Sequence, residues 1–267
     1  MTHEGTECFR FGPYKGQDYN RLDQQWFDCT LHGATTLERC RACPDHKRLD
    51  FPKFELAAGI TTAERPGKVN YLDGTGFSLA NSFHLINGTV LIGNDDDKRL
   101  GPFGMFYLVA TELYIRHPHA SAYLISQDDV TYNRFSGEIV AALGADTSRW
   151  AVLSLYTAPE LSEAVQQAKP KDGMGNWRQI DKGWNSPGAC AYVFSDWALR
   201  DFLTDPVVLW HRRFGPTNGW RGLDSVVGVF AARFAGIWHH TPPLAHHVGV
   251  VSTITREDQP ERDRYDR

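Results

Sequence analysis

The sequence predicts an α/β protein in which a mostly parallel sheet is flanked by helices. Short apolar runs of strand length alternate along the chain with segments of helical apolar spacing. The most informative run, residues 122–126, follows a Pro-His-Ala-Ser turn and leads into Asp128 and Asp129. A run of this kind is typical of a strand buried on both faces, whose carboxyl end lies at the edge of the sheet where ligands bind. The length of 267 residues, 42% of them hydrophobic and 22% charged, is sufficient for a sizeable core.

The chain divides into a small head, a large body and a short tail. Residues 1–50 form a head with four of the five cysteines, and Cys40 and Cys43 have the C-x2-C spacing that lets two thiolates share one metal ion. With Cys8 and Cys29 they would complete a structural zinc site, in which His32 or His46 could replace one thiolate. Reduced structural thiols are the alternative. Residues 51–256 form the body, and residues 257–267 a charged, flexible tail.

In chain order, the body begins with a strand at 54–62, helical spacing at 69–86 and a strand at 89–92. The acidic loop that follows, from Asp95 to Asp97, is interpreted as a solvated turn rather than a metal site. A helix over 103–114 should end before His117-Pro118. Beyond the 122–130 stretch we expect a helix at 136–143, a strand at 151–156, a covering loop at 159–183, a strand ending at 194, a helix capped by Ser195, a helix opened by Gly222-Leu223-Asp224, and an edge strand within 244–252.

Charge and hydropathy narrow the function classes. The formal net charge of -4 gives no overall basic field, so attraction of the whole chain to nucleic acid or an acidic membrane is not expected. The sequence has no N-terminal apolar segment typical of a signal peptide and no apolar run long enough to span a membrane. The expected location is therefore cytoplasmic.

Asp128 and Asp129 together suggest a metal site. Two adjacent carboxylates repel each other unless a cation or a donor-rich ligand lies between them. Oxygen ligands of this kind suit Mg²⁺ or Mn²⁺, which also bind substrate phosphates. From these residues alone, a solvated turn after the strand is an equally good interpretation.

Five local strings resemble one family when they are taken in order. They resemble the GT-A class of nucleotide-sugar-dependent glycosyltransferases, and in particular the branch related to the N-acetylglucosaminyltransferase IV group. The strings are Gly59-Ile60-Thr61-Thr62-Ala63-x-Arg65, Leu100-Gly101-Pro102-Phe103-Gly104, Gln127-Asp128-Asp129-Val130, Ser186-Pro187-Gly188-Ala189 and His247-Val248-Gly249-x-x-Ser252. The Cys-rich head lies outside this match and is similar to the head of some bacterial glycosyltransferase-like proteins.

The resemblance implies a catalytic set. Asp129 would ligate Mn²⁺ or Mg²⁺, His247 would supply a further ligand, and Asp128 would bind ribose or complete the water shell of the ion. Asp224 would be the base of an inverting transfer. An ordinary half-buried histidine and a plain N-cap are the alternatives for His247 and Asp224.

The resemblance also implies substrate contacts. The donor would be a UDP- or GDP-sugar and the acceptor a glycan or another hydroxyl compound. Thr61, Thr62 and Arg65 would lie near the nucleotide, although a surface salt bridge would equally explain Arg65. Backbone contacts from Ser186, Pro187, Gly188 and Ala189 would shape the sugar pocket.

Three other functions remain open. Gln127 stands where the fuller motif often has an acid, which leaves room for a non-catalytic relative that binds a nucleotide sugar or a glycan. The four head cysteines allow a zinc-dependent interaction protein, although the acidic balance argues against nucleic acid as its partner. A metal-dependent hydrolase would need a second carboxylate cluster, for which Asp95 to Asp97 is a poor candidate.

Overall fold

A computed structural model describes residues 54–63, 70–96, 99–144, 147–171, 173–180, 188–215 and 222–248. It also describes two short strands of the head, β1 (Trp26–Cys29) and β2 (Gly33–Thr36), which pair in antiparallel orientation. The predicted thiolate site and the predicted tail at 257–267 lie outside the described residues.

The body is built on one large sheet and one small one. Its strands are β3 (Leu56–Thr62), β4 (Leu85–Asn94), β5 (Ala122–Gln127), β6 (Val130–Tyr132), β7 (Val152–Ser154), β8 (Trp177–Ile180), β9 (Ala191–Ser195), β10 (Ile237–His240) and β11 (Ala245–His247). Seven of them form the large sheet in the order β4-β3-β5-β9-β7-β10-β8, whereas β6 pairs only with β11.

Most strands of the large sheet run in one direction. β3 is parallel to both β4 and β5, and β10 is parallel to β7. β9 is antiparallel to β5 and to β7, and β8 is antiparallel to β10. The sheet is therefore mixed but mostly parallel, which confirms the predicted α/β class. β3, β4, β5, β7 and β10 all end at one edge, which we call the carboxyl edge.

Helices cover both faces of this sheet. They are α1 (Leu72–Ser82), α2 (Gly101–Arg116), α3 (Ser136–Gly144), α4 (Pro159–Gln167), α5 (Asp196–Thr204), α6 (Pro206–Phe214) and α7 (Leu223–Ala232). Buried residues of α2, α5, α6 and α7 form one core, and buried residues of α1 and α3 contribute to the other. Among the described helices, none has the length and apolar content needed to cross a bilayer.

Strand β5 separates the two cores. Tyr123 and Ile125 pack into the core of α2 and α5, whereas Ala122 and Leu124 pack into the core of α1 and α3. This alternation follows from the two-residue period of a strand, and it explains why residues 122–125 of β5 are continuously apolar. The predicted burial on both faces is confirmed.

Two other local predictions are confirmed by specific contacts. Helix α2 ends at Arg116, before the His117-Pro118 pair, as the proline requires. The Ser195 hydroxyl accepts a hydrogen bond from the Ala198 amide at 3.3 Å, which is the expected N-cap of α5.

The predicted covering loop at 159–183 is wrong in two places. Residues 159–167 form α4, which buries Leu161 and Val165 one turn apart, and residues 177–180 form β8 at the end of the sheet. The polar composition of the segment concealed both elements, because α4 needs only a narrow apolar stripe and an edge strand is only partly buried. The sequence prediction also omitted α6 and β10.

The interpretation of Asp95 as part of a solvated turn is also wrong. Its side chain is buried, and Oδ2 accepts hydrogen bonds from the amides of Leu100 at 3.2 Å and Gly101 at 2.8 Å. The carboxylate thus binds amide groups at the start of α2, where the helix dipole favours negative charge. Asp95 has a structural role.

Candidate active site

The carboxyl end of β5 turns sharply through two buried aspartates. Asp128 is 3% exposed and Asp129 is 6% exposed, so neither lies in a solvated turn. The Thr62 hydroxyl, at the end of neighbouring β3, donates to Asp128 Oδ2 at 2.5 Å. Because β3 and β5 are parallel, their ends meet at the carboxyl edge and bring these two side chains together.

Thr75 of α1 holds the backbone of this turn. Its hydroxyl donates to the Asp128 carbonyl at 2.5 Å and accepts from the Val130 amide at 3.1 Å. One turn later, the Ser78 hydroxyl accepts from the Tyr132 amide at 2.7 Å. Two hydroxyls on one helix therefore fix the path from Asp128 into β6, and Thr75 is itself 1% exposed.

The small sheet brings His247 to Asp129. In the β6–β11 ladder, His247 lies opposite Val130, and the Val248 amide donates to the Asp129 carbonyl at 2.8 Å. The His247 Nε2 and Asp129 Oδ2 atoms are 3.1 Å apart. The two metal ligands implied by the resemblance, 118 positions apart in the sequence, are thus in direct contact.

Cys190 lies near both Asp129 and Asp224. It directly precedes β9, which is antiparallel to β5 and therefore begins at the carboxyl edge, and its carbonyl accepts from the Gln127 amide at 2.8 Å. Burial raises the pKa of the Cys190 thiol to about 12, and the charges of Asp129 and Asp224 add to this effect. The predicted metal ligand and the predicted base are therefore both electrostatic neighbours of one buried thiol.

Asp224 lies in the first turn of α7 without being its N-cap. The N-cap residue is Gly222, and Asp224 Oδ1 accepts from the Ser225 amide at 3.0 Å. An acid in the first turn is favoured by the helix dipole. The Asp224 carboxylate is half-buried, and its charge contributes to the raised pKa of the Cys190 thiol.

Tyr156 connects the small-residue segment to His247. Gly188 has φ +97°, and a Cβ atom at this position would lie 2.8 Å from the Tyr156 ring. The Tyr156 ring centroid is in turn 6.3 Å from that of His247. Only glycine allows this close approach of the backbone to the Tyr156 ring, and the role predicted for Gly188 in a sugar pocket stays a prediction.

Two buried histidines at the end of β10 make polar contacts with the segments that follow β7 and β10. His239 Nδ1 lies 3.4 Å from the Thr157 hydroxyl, and His240 Nδ1 lies 2.6 Å from the Pro242 carbonyl. Burial lowers the pKa of each imidazole to about 4, so both are neutral near pH 7. Neutral His240 can donate its Nδ1 proton to that carbonyl, which fixes the segment leading into β11.

The remaining predicted residues have mixed outcomes. The Thr61 hydroxyl donates to the Ser126 carbonyl at 3.2 Å, which places Thr61 at the carboxyl edge. Ala189 is half-buried against the core of α2 and α5. Outside the described residues lie Arg65, Ser186, Pro187, Cys8, Cys40, Cys43 and the side chain of Cys29.

The donor set at Asp129 and His247 fits a divalent cation bound jointly with a substrate. Adjacent ligands of an octahedral ion with bonds of about 2.1 Å lie about 3 Å apart, close to the 3.1 Å between Nε2 and Oδ2. Within the described part of the chain, no group of three His, Cys, Asp or Glu side chains is arranged to hold a metal. Two protein ligands would leave positions for water and phosphate oxygens, as Mg²⁺ and Mn²⁺ sites commonly do.

Comparison with known proteins does not identify a family for this chain. No family model and no curated protein matches the chain.

Sequence reasoning missed Thr75, Tyr156 and Cys190. Thr75 had a recognisable signal, because it lies between Leu72 and Leu79 on the inward stripe of a predicted helix. A hydroxyl on an apolar stripe indicates a buried hydrogen bond. Tyr156 and Cys190 had no comparable signal, because only the fold brings them to the site.

Proposed function

We propose that this chain is a divalent-metal-dependent glycosyltransferase that moves a sugar from a nucleotide-sugar donor to a hydroxyl acceptor with inversion. The observation that carries the proposal is the contact between Asp129 and His247 at the carboxyl edge. The charges of Asp129 and Asp224 both contribute to the raised pKa of the Cys190 thiol. The order of the five sequence strings supports the same function. The finer GT-A assignment rests on that resemblance.

The donor side would be formed by the turn after β5. Asp129 and His247 would hold Mn²⁺ or Mg²⁺, which when bound offsets the negative charge that develops on the departing diphosphate. Asp128, whose Oδ2 accepts from the Thr62 hydroxyl, would accept a hydrogen bond from a ribose hydroxyl. The backbone at Gly188 and Ala189 would border the sugar, because no side chain at Gly188 blocks the approach.

The acceptor side would be formed by α7. In an inverting transfer, the acceptor oxygen forms a bond to the anomeric carbon while the bond from that carbon to the diphosphate oxygen breaks. The acceptor proton must move to a base on the face opposite the leaving group. Asp224 would take this proton, and its position in the first turn of a helix gives the carboxylate a fixed backbone support.

Calorimetric titration tests the donor site. UDP and GDP are titrated into the full chain with and without Mn²⁺, and the titration is repeated on Asp129→Asn and His247→Gln. We expect Mn²⁺-dependent binding of one nucleotide that both substitutions weaken at least about tenfold, because each removes one of the two proposed metal ligands. Asp201→Asn removes the same charge from an exposed position on α5 and should bind normally.

Turnover separates an enzyme from a non-catalytic relative. Release of nucleotide from UDP- and GDP-sugars, with water as the acceptor, is measured for the parent chain and for Asp224→Asn. The proposal requires that Asp224→Asn retain nucleotide binding and lose at least about a hundredfold in rate, the usual contribution of a positioned base. Binding without turnover in the parent chain would identify a nucleotide-sugar-binding protein. A folded chain that binds neither nucleotide would refute the proposal.

A further inference from the structure

Helix α6 exposes an unusual set of side chains. Leu209, Trp210 and Phe214 are 40%, 50% and 39% exposed, and Arg212 and Arg213 are exposed beside them. We call these five residues the α6 face. The helix contains no acidic residue between Pro206 and Phe214. Three large apolar side chains and two arginines therefore share the outer surface of one nine-residue helix.

The inner side of α6 is already packed, so the α6 face is not an exposed part of the core. Val208 and His211 are buried, and the His211 ring meets the Phe103 ring of α2 edge-on at 4.5 Å. Asp205 caps the helix by accepting from the Val207 amide at 2.8 Å. The inward side chains and the cap thus fix the helix and define which residues point outward.

The aromatic and basic groups of the α6 face are organised together. The Trp210 and Phe214 ring centroids are 4.3 Å apart, and the Arg213 guanidinium lies 5.0 Å from the Phe214 centroid. Arg212 stacks on the Tyr107 ring of α2 at 5.0 Å. Packing of the aromatic groups against one another limits the entropy that they would lose on binding a partner.

We propose that the α6 face docks this protein on an anionic lipid surface. Tryptophan and phenylalanine insert at the level of the headgroups, and arginines beside them attract acidic phosphates. A helix of this length lies along a bilayer surface over about 13 Å. The net charge of -4 gives the whole chain no attraction to such a surface, so the attraction comes from this local basic and aromatic cluster.

Neighbouring residues extend the same surface. Leu100, the N-cap residue of α2, and Leu108 within α2 are half-exposed, and the Tyr107 hydroxyl of α2 donates to the Leu203 carbonyl at 2.8 Å. Because α2 begins at the carboxyl edge and contacts α6 through Phe103, the α6 face lies near the end of the molecule that carries the candidate site. An acceptor displayed on a membrane would then be within reach, an implication that rests on the proposed function, whereas lipid binding does not.

Vesicle sedimentation tests the docking without any nucleotide. The full chain is incubated with vesicles of equal parts phosphatidylglycerol and phosphatidylcholine, or of phosphatidylcholine alone, and the bound fraction is measured. We expect binding to the anionic vesicles that falls with added salt. The pair Trp210→Ser and Phe214→Ser should reduce the partition coefficient at least about tenfold, and Arg212→Gln with Arg213→Gln should reduce it about fivefold per arginine.

A matched control is available on the other face of the sheet. Phe77 of α1 is 74% exposed, and Phe77→Ser removes a similar exposed aromatic ring. This variant should bind anionic vesicles like the parent chain. Thermal unfolding of every variant confirms that it is folded before its binding is compared.

Three results would overturn the proposal. They are the absence of vesicle binding by the folded parent chain, equal binding to both lipid compositions, and loss of binding in Phe77→Ser that matches the loss in the α6 variants. Size-exclusion chromatography with light scattering adds a fourth, because a dimer that dissociates when Trp210 and Phe214 are replaced would show that a second copy covers this face.

Discussion

Thr75→Val is the most direct test of how the candidate site is built. Valine has nearly the shape of threonine, so the substitution removes the hydroxyl and leaves the packing of α1 almost unchanged. The hydroxyl makes two buried hydrogen bonds, at 2.5 Å to the Asp128 carbonyl and at 3.1 Å from the Val130 amide. The variant leaves a buried donor and a buried acceptor of the backbone without this partner.

The size of the effect follows from burial. Removing one partner of a buried hydrogen bond costs about 1–3 kcal/mol, because the remaining group has lost its contact with water and gains nothing in return. Thr75 is 1% exposed, so water cannot replace the hydroxyl without local rearrangement. With two backbone groups affected, we expect the free energy of unfolding to fall by about 2–4 kcal/mol.

Urea unfolding of the parent chain and two variants measures this effect. Thr111→Val is the matched control, because the Thr111 hydroxyl donates only to the Tyr107 carbonyl one turn earlier in its own helix. Such bonds contribute little to helix stability, so this variant should stay within about 0.5 kcal/mol of the parent. If Thr75→Val unfolds at the same urea concentration as Thr111→Val, the Thr75 hydroxyl does not hold the turn and the reasoning fails.

Three further predictions concern the surroundings of the site and the support of helix α6. Gly188→Ala should lower the free energy of unfolding by about 1–3 kcal/mol more than Gly175→Ala in urea titration, since both have positive φ but only Gly188 faces a crowded ring. Burial lowers the pKa of His239 and His240 to about 4 in the folded protein, so below about pH 6.5 unfolding should protonate both imidazoles. The free energy of unfolding should therefore be highest above pH 6.5 and fall toward pH 4, by up to about 2 kcal/mol per histidine at pH 5. Urea unfolding that shows no change in this free energy between pH 7 and pH 5 would contradict the prediction. Asp205→Ala removes the cap of α6 and the ion-pair partner of Arg233, which directly follows α7. It should lower the thermal midpoint by an amount equivalent to about 1–2 kcal/mol, which calorimetry measures.

The parts of the fold that were predictable are those with a strong apolar pattern. Strand β5 and helix α2 were identified because their buried residues recur with the period of their own geometry. Helix α6 was missed although Asp205 followed by Pro206 is a recognisable start signal, because its outer face carries tryptophan, leucine and phenylalanine in place of polar residues. Strand β10 was missed because two of its four buried residues are histidines.

The candidate site was predictable only as a list of residues. Asp129, His247 and Asp224 were identified through the resemblance, and the fold brings the first two into contact and places the third near the same thiol. The position of Thr75 on an apolar stripe indicates a buried hydrogen bond but not its partners, because the residues that it joins are 53 and 55 positions away. Interactions of this kind depend on how helices pack on the sheet, which local patterns do not encode.

The choice of His247 over its neighbour His246 depends on the register of β11. A slip of one residue would place His246 opposite Val130 and turn the alternate side chain toward Asp129. The register is held just before the strand, where the Leu244 carbonyl accepts from the Asn133 amide and from the Ser136 hydroxyl, each at 2.9 Å.

A second contact holds the same segment from the other side. The Leu155 carbonyl accepts hydrogen bonds from the amides of Leu244 at 2.8 Å and Ala245 at 2.9 Å. The side-chain amide of Asn133 donates to the Pro243 carbonyl at 2.9 Å. Because the segment is bonded to residues that follow β6 and β7, β11 cannot slide without breaking several buried hydrogen bonds. The position of one candidate metal ligand is therefore set by polar contacts three residues before it, and these contacts explain how a three-residue strand can place a side chain within hydrogen-bonding distance of Asp129.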